Sequence, residues 1–195
     1  MMRAAAAIER YFGRLDEMLD ERPAWPLVLA ALAFLLKLAY VLETRDALFA
    51  RVPIMDSAYY DAMARDIAGG QVLRPGAFFM GPLYPYVLGL VYAVFGRDLT
   101  VVRLLQALGG SAAVALTFVL GRMVFRPSVG LVGALCLCFY GTITFYEGHL
   151  LMTWLGTLLN LGALVMLARG AANGKTAAFA AAGALIGLSA LARAN

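Results

Sequence analysis

At 195 residues, with 63% hydrophobic side chains, only 14% charged ones and a mean hydropathy of +0.80, the chain lies far from the roughly 45–50% apolar, 25% charged make-up of soluble domains. So much apolar surface does not fit inside a soluble core of this size, and lipid must be the solvent for much of it. The formal net charge of +4 comes with arginines standing singly between apolar runs, which excludes a nucleic-acid surface and suits cytoplasmic loops and headgroup contacts.

Residues 1–24 read as a cytoplasmic amphipathic helix. Ile8, Tyr11, Phe12, Leu15, Met18 and Leu19 recur at helical spacing among charged residues, as in a helix lying on the membrane face with its arginines toward anionic headgroups. It lacks the form of a cleavable signal. A first span follows over residues 25–42, punctuated by Pro23 and Pro26 and opened by Trp25 at the interface. Lys37 interrupts it near one end; it either snorkels to the headgroups or meets a buried partner.

Further apolar runs cover residues 83–95, 99–124, 129–145, 150–168 and 177–191. The basic loops at Arg122–Arg126 and Arg169–Lys175 belong in the cytoplasm with the N-terminus, whereas 140–149 carries only Glu147 and faces outward. Starting inside, an odd number of crossings must return the chain to Arg122, so one of two intervening runs does not cross. Residues 83–95 fall short of the roughly 20 a span needs, and they begin Gly81-Pro82-Leu83-Tyr84-Pro85-Tyr86. Residues 44–98 therefore read as one long external segment containing an interfacial or re-entrant helix. Gly109-Gly110-Ser111 permits close helix packing. Cys136 and Cys138, two apart, point to different helix faces and read as apolar fillers. The chain stops directly after an apolar helix, at Arg193-Ala194-Asn195, so the expectation is the N-terminal part of a longer protein.

Within the external segment, Asp56 and Ser57 are good helix N-caps and Gly69-Gly70 a good stop, which predicts a helix over 58–68 with Asp61 and Arg65 paired on its exposed face. Asp56 has two readings that do not exclude each other. One is a cap; the other is a general base, or an ion ligand, at the membrane–water boundary.

Asp56-x-x-Tyr59-Tyr60, the short Ala/Arg helix and Gly69-Gly70 resemble the first external loop of GT-C membrane glycosyltransferases, the protein O-mannosyltransferase and lipid A aminoarabinose transferase families. The likeness continues through Gly81-Pro82-Leu83-Tyr84-Pro85, Phe95-Gly96 with Val102-Arg103-Leu104, and Phe145-Tyr146-Glu147-Gly148-His149-Leu150-Leu151. It closes on 187–193. The resemblance implies an all-α polytopic fold, a GT-C-like helix bundle over 25–195 in a bacterial inner membrane, with its working face periplasmic. It implies a polyprenyl-phosphate-linked hexosyl or pentosyl donor, membrane lipids as partners and a lipid, glycan or protein acceptor. Asp56 becomes the expected catalytic residue. Tyr59, Tyr60, Arg65, Arg74, Tyr84, Arg103, Glu147, His149 and Arg193 become expected substrate-binding residues, the arginines near the external face for the phosphate.

The chain departs from relatives in two places. Met152-Thr153-Trp154 stands where several have an acid after Leu-Leu, and Met80-Gly81 stands where the aminoarabinose transferases have an acidic metal-site residue. No metal ligand set is assigned; a divalent metal stays open, with Glu147 and His149 as the nearest donors. The rival readings are a transporter or flippase of lipid-linked substrates and a noncatalytic subunit of the same fold. Charges clustered at one face and the lack of an internal repeat favour the enzyme.

Overall fold

The computed structural model describes residues 2–73 and 78–193, and among these it contains ten helices and no strand. In chain order they are α1 (Met2–Glu21), α2 (Trp25–Thr44), α3 (Leu48–Arg51), α4 (Asp56–Ala68), α5 (Leu83–Phe95), α6 (Leu99–Val124), α7 (Pro127–Cys138), α8 (Gly141–Glu147), α9 (Thr153–Asn173) and α10 (Thr176–Ala192). The protein is an all-α polytopic membrane protein. Three helices, α2, α6 and α9, are long and apolar enough to cross a bilayer. Their outward faces could not be left in water: on α2 alone Leu27, Val28, Leu35 and Leu42 are exposed.

The run read over 129–145 is not one straight helix. It is α7 followed by α8, inclined at 56° across a short break at Phe139-Tyr140. The apolar pattern continues through the break, so composition conceals it. Residues 83–95 do form the short helix expected of them, α5.

Helix α6 is the centre of the bundle, packed against α2, α7 and α9; α10 lies on α9, and α4 on α5. Asp98 starts α6 firmly, its carboxylate accepting the backbone N–H groups of Thr100 (2.8 Å) and Val101 (3.3 Å). Two apolar clusters result. One gathers Leu29, Ala33, Val114, Phe118 and Ala134 with Leu19 from α1; the other gathers Tyr60, Tyr84, Leu88, Tyr92, Leu150 and Ala192.

Helix α1 docks on protein as well as facing outward. Leu19 is fully buried, Asp16 caps α7 by accepting the Ser128 backbone N–H at 2.7 Å, and Asp16 and Asp20 pair with Arg126 and Arg122. The two loop arginines, read from sequence as topology markers, therefore also fasten the N-terminal helix. Ile8 of the apolar stripe lies outside the described side chains.

Candidate functional site around helix α4

Pro53 and the two residues after it bring the chain from α3 to α4. At Met55 the backbone turns through φ +50°, ψ −125°, a conformation that costs a residue with a Cβ about 1–3 kcal/mol and that tends to mark functional turns. Asp56 is then the first residue of α4 and stands exposed. It does not act as a cap. The first amides of the helix are taken by backbone carbonyls, Ser57 N–H and Ala58 N–H by Ile54 (3.1 and 3.4 Å) and Tyr59 N–H by Met55 (3.2 Å). Among the described residues the Asp56 side chain makes no hydrogen bond, so its oxygens are available to something else. Burial of the Tyr60 phenol raises its pKa, and the nearby Asp56 charge raises it further.

Asp61, one turn on, is not on an exposed face. It is 3% exposed, and its carboxylate accepts from Tyr92 Oη at 2.7 Å and from Arg97 Nε and an Arg97 terminal nitrogen at 2.9 and 3.1 Å, with Arg65 3.2 Å away. The expected partner Arg65 is thus the outermost of three. Burial pushes the Asp61 carboxyl upward, but the hydrogen bonds from Arg97 and Tyr92 and the charges of Arg97 and Arg65 outweigh it and leave the pKa lowered. This network fastens α4 to α5 and to the turn before α6.

A second polar group runs along one face of α6, at Arg103, Gln106 and Gly110. Arg103 is 4% exposed and donates to the carbonyls of Ala50 (2.6 Å) and Phe49 (3.5 Å). It is not a surface cation awaiting a phosphate; it holds α3, the segment that leads to Asp56. The Gln106 amide nitrogen donates to the carbonyls of Glu147 (2.5 Å) and His149 (2.8 Å), while its oxygen accepts the Tyr84 hydroxyl (2.6 Å). At Gly110 any side chain would collide with the Glu147 carboxylate, and that carboxylate pairs with the buried ammonium of Lys37. Lys37 therefore takes the second of its two sequence readings, the buried partner, because it faces the bundle and not lipid.

The remaining expected residues fall into place around these two groups. Tyr59 is half-buried, edge-on to Phe79 at 6.1 Å; Tyr60 is a core side chain, edge-on to Tyr84 at 4.9 Å. Arg65 and Arg193 are exposed. Arg74 lies outside the described residues. His149 is stacked on Phe49 at 5.1 Å, with its Nδ1 2.9 Å from the Phe145 carbonyl. The Glu147 carboxylate is taken up by Lys37, and among the described residues no three acid, His or Cys side chains converge as an ion would require. Sequence reasoning missed Tyr92, Arg97 and Gln106. A glutamine inside an apolar span was the one available signal.

The comparisons with known proteins bear on this bundle directly. Residues 79–195, more than half of the chain, match the family described as dolichyl-phosphate-mannose-protein mannosyltransferase. The chain belongs to that family. It is a membrane glycosyltransferase of the GT-C type. The segment matched to the family holds Tyr84, Arg103, Glu147, His149 and Arg193, and begins after Asp56 and α4. Neither the curated proteins nor the solved structures yield a significant match.

Proposed function

We propose that the protein transfers a hexose or pentose from a polyprenyl-phosphate-linked donor to a hydroxyl of a lipid, glycan or protein acceptor, at the external face of a bacterial inner membrane. In this reading the N-terminus is cytoplasmic and residues 44–98 are external. The chain crosses with α2, α6, the bent pair α7–α8, α9 and α10, while α5 lies at the interface. Asp56 accepts the acceptor hydroxyl's proton as that oxygen attacks the anomeric carbon; the bond from that carbon to the phosphate oxygen breaks, with inversion. Arg65, Arg74 and Arg193 offset the charge on the departing lipid phosphate. Arg103 acts at one remove, by holding α3.

The observation that carries the assignment is the Asp56 carboxylate, exposed and uncapped at the head of α4 beside the strained Met55 backbone. A transporter would draw support from the buried Lys37–Glu147 pair. Gln106 donates to the Glu147 backbone carbonyl and Gly110 leaves room for the Glu147 carboxylate, which suits a fixed scaffold better than a moving gate. The test is Asp56→Asn in the full chain, assayed for sugar transfer from a polyprenyl-phosphate sugar. A loss of about 10²–10⁴-fold with unchanged membrane insertion is expected, and full activity would sink the proposal.

A further inference from the structure

Where α2, α6 and α8 meet, the bundle holds a cavity of about 10 Å³. Lys37 and Tyr40 reach it from α2, Arg103 and Ala107 from α6, and Thr144 and Glu147 from α8. Gly148 lets the Tyr40 ring lie against this junction, since a Cβ there would strike that ring. Three of the lining side chains are charged and withdrawn from solvent: Lys37 is 2% exposed, Arg103 4% and Glu147 5%.

Their charges do not balance. Lys37 and Glu147 cancel as an ion pair, whereas Arg103 forms no ion pair among the described residues. Its charge rests on two backbone carbonyls, those of Ala50 and Phe49, both met through one terminal nitrogen. The Arg103 Nε–H is buried and has no hydrogen-bond partner there. An unmet donor on a buried cation is costlier than one on a neutral group. The neighbouring polar groups have capacity to spare. Lys37 uses one of its three N–H donors on one of the two Glu147 carboxylate oxygens. Among the described residues the Tyr40 and Thr144 hydroxyls make no hydrogen bond.

Size and chemistry together select an occupant. A space of about 10 Å³ is the least that takes one water, and a buried water needs two to four polar partners; no phosphate, sugar or lipid head group fits. A halide would be drawn by the two cations but would lie against the Glu147 carboxylate. A water can accept from Arg103 and donate to Glu147 at once.

We propose that one ordered water occupies this cavity, accepting from the Arg103 Nε–H and donating to the Glu147 carboxylate. Glu147 is then shared by two cations, Lys37 directly and Arg103 through the water, and the three charges form a single array. Because Arg103 also holds the Ala50 carbonyl, the array ties α3 to α2 and α8. The water is a structural ligand whatever group the protein transfers.

The full chain in lipid nanodiscs, imaged finely enough to show ordered waters, should carry one density peak within about 2.6–3.2 Å of both Arg103 Nε and a Glu147 carboxylate oxygen. Ala107, 2% exposed, forms part of the wall. Ala107→Val adds two methyl groups there; it should remove the peak and lower the melting temperature by about 2–4 °C. Ala107→Ser brings a hydroxyl to the same wall, able to meet Arg103 in the water's place, and should melt within about 1 °C of wild type. A wild-type map with nothing in the cavity overturns the proposal, as does an Ala107→Ser variant that melts as low as Ala107→Val. An anomalous peak in the cavity of bromide-soaked crystals overturns it in favour of an anion site.

Discussion

The ammonium of Lys37 and the carboxylate of Glu147 meet inside the helical bundle although 110 residues separate them in the chain. Both side chains are nearly inaccessible, so each is the other's only compensation among the described residues for the loss of water. Replacing one partner leaves a buried charge, which costs about 3–5 kcal/mol, whereas replacing both with apolar or neutral groups is often close to neutral. Lys37→Met and Glu147→Gln should each lower thermal stability sharply, and the double variant should recover most of the loss. Additive losses in that cycle, measured by unfolding in detergent or nanodiscs, would mean the two do not form a pair.

Gly110 sets the room for the same carboxylate. Gly110→Ala is therefore expected to destabilise the protein by a kcal/mol or more, about the scale of overpacking, through Glu147 specifically. In a Lys37→Met/Glu147→Ala background the same substitution should cost much less. An unchanged cost there would place the strain elsewhere.

Asp61 predicts a pH dependence of defined sign. Its folded pKa is lowered, with burial the largest influence and opposed by Arg97 and Tyr92. The stabilisation it contributes is fully present above the unfolded aspartate value of about 3.9 and is lost as pH falls through the lower folded value. Wild type should lose stability over that acid window, and Asp61→Asn, already destabilised at neutral pH, should lose less across it. Parallel acid melting curves for the two would rule out Asp61 as the source.

The backbone at Met55 suggests a trade between stability and rate. Glycine adopts φ +50° without the Cβ penalty, so Met55→Gly should relieve strain and stabilise the fold by about 1 kcal/mol. It should also slow sugar transfer, because the turn that aims Asp56 loses its restraint. A variant faster than wild type would argue against strain serving the site.

Topology is open to direct labelling. In a chain lacking Cys136 and Cys138, single cysteines at Leu73 and Phe125 occupy positions 89% and 74% exposed, free of the packing that surrounds Ser57, Gly89 or Ser128. An impermeant maleimide should reach Leu73→Cys in intact cells and Phe125→Cys only after permeabilisation. External labelling at Phe125 would overturn the crossing count.

Much of this architecture was legible in the sequence because its signals are local. Apolar runs of sufficient length announce α2, α6 and α9, and the glycines after Ala68, with Gly70 at φ +95°, end α4 where turn chemistry says they should. The failures share a physical cause. The partner of Lys37, the burial of Asp61 and the reach of Arg103 to Ala50 are contacts between distant parts of the chain, and no periodicity encodes them. Asp56 looked like a cap because aspartate there usually is one; Ile54 and Met55 carbonyls take that duty instead.

Arg103, Gln106 and Gly110 stand three and four residues apart on a single rigid helix, and through them α6 governs the placement of α3, α5 and α8. One residue inserted between Arg103 and Gly110 would rotate everything beyond it by about 100°, parting the three segments from one another at a stroke. Length between those positions should be invariant across a set of functional variants obtained by random insertion, while the short connection between α9 and α10 at Gly174-Lys175, which ties down nothing comparable, should accept added residues freely.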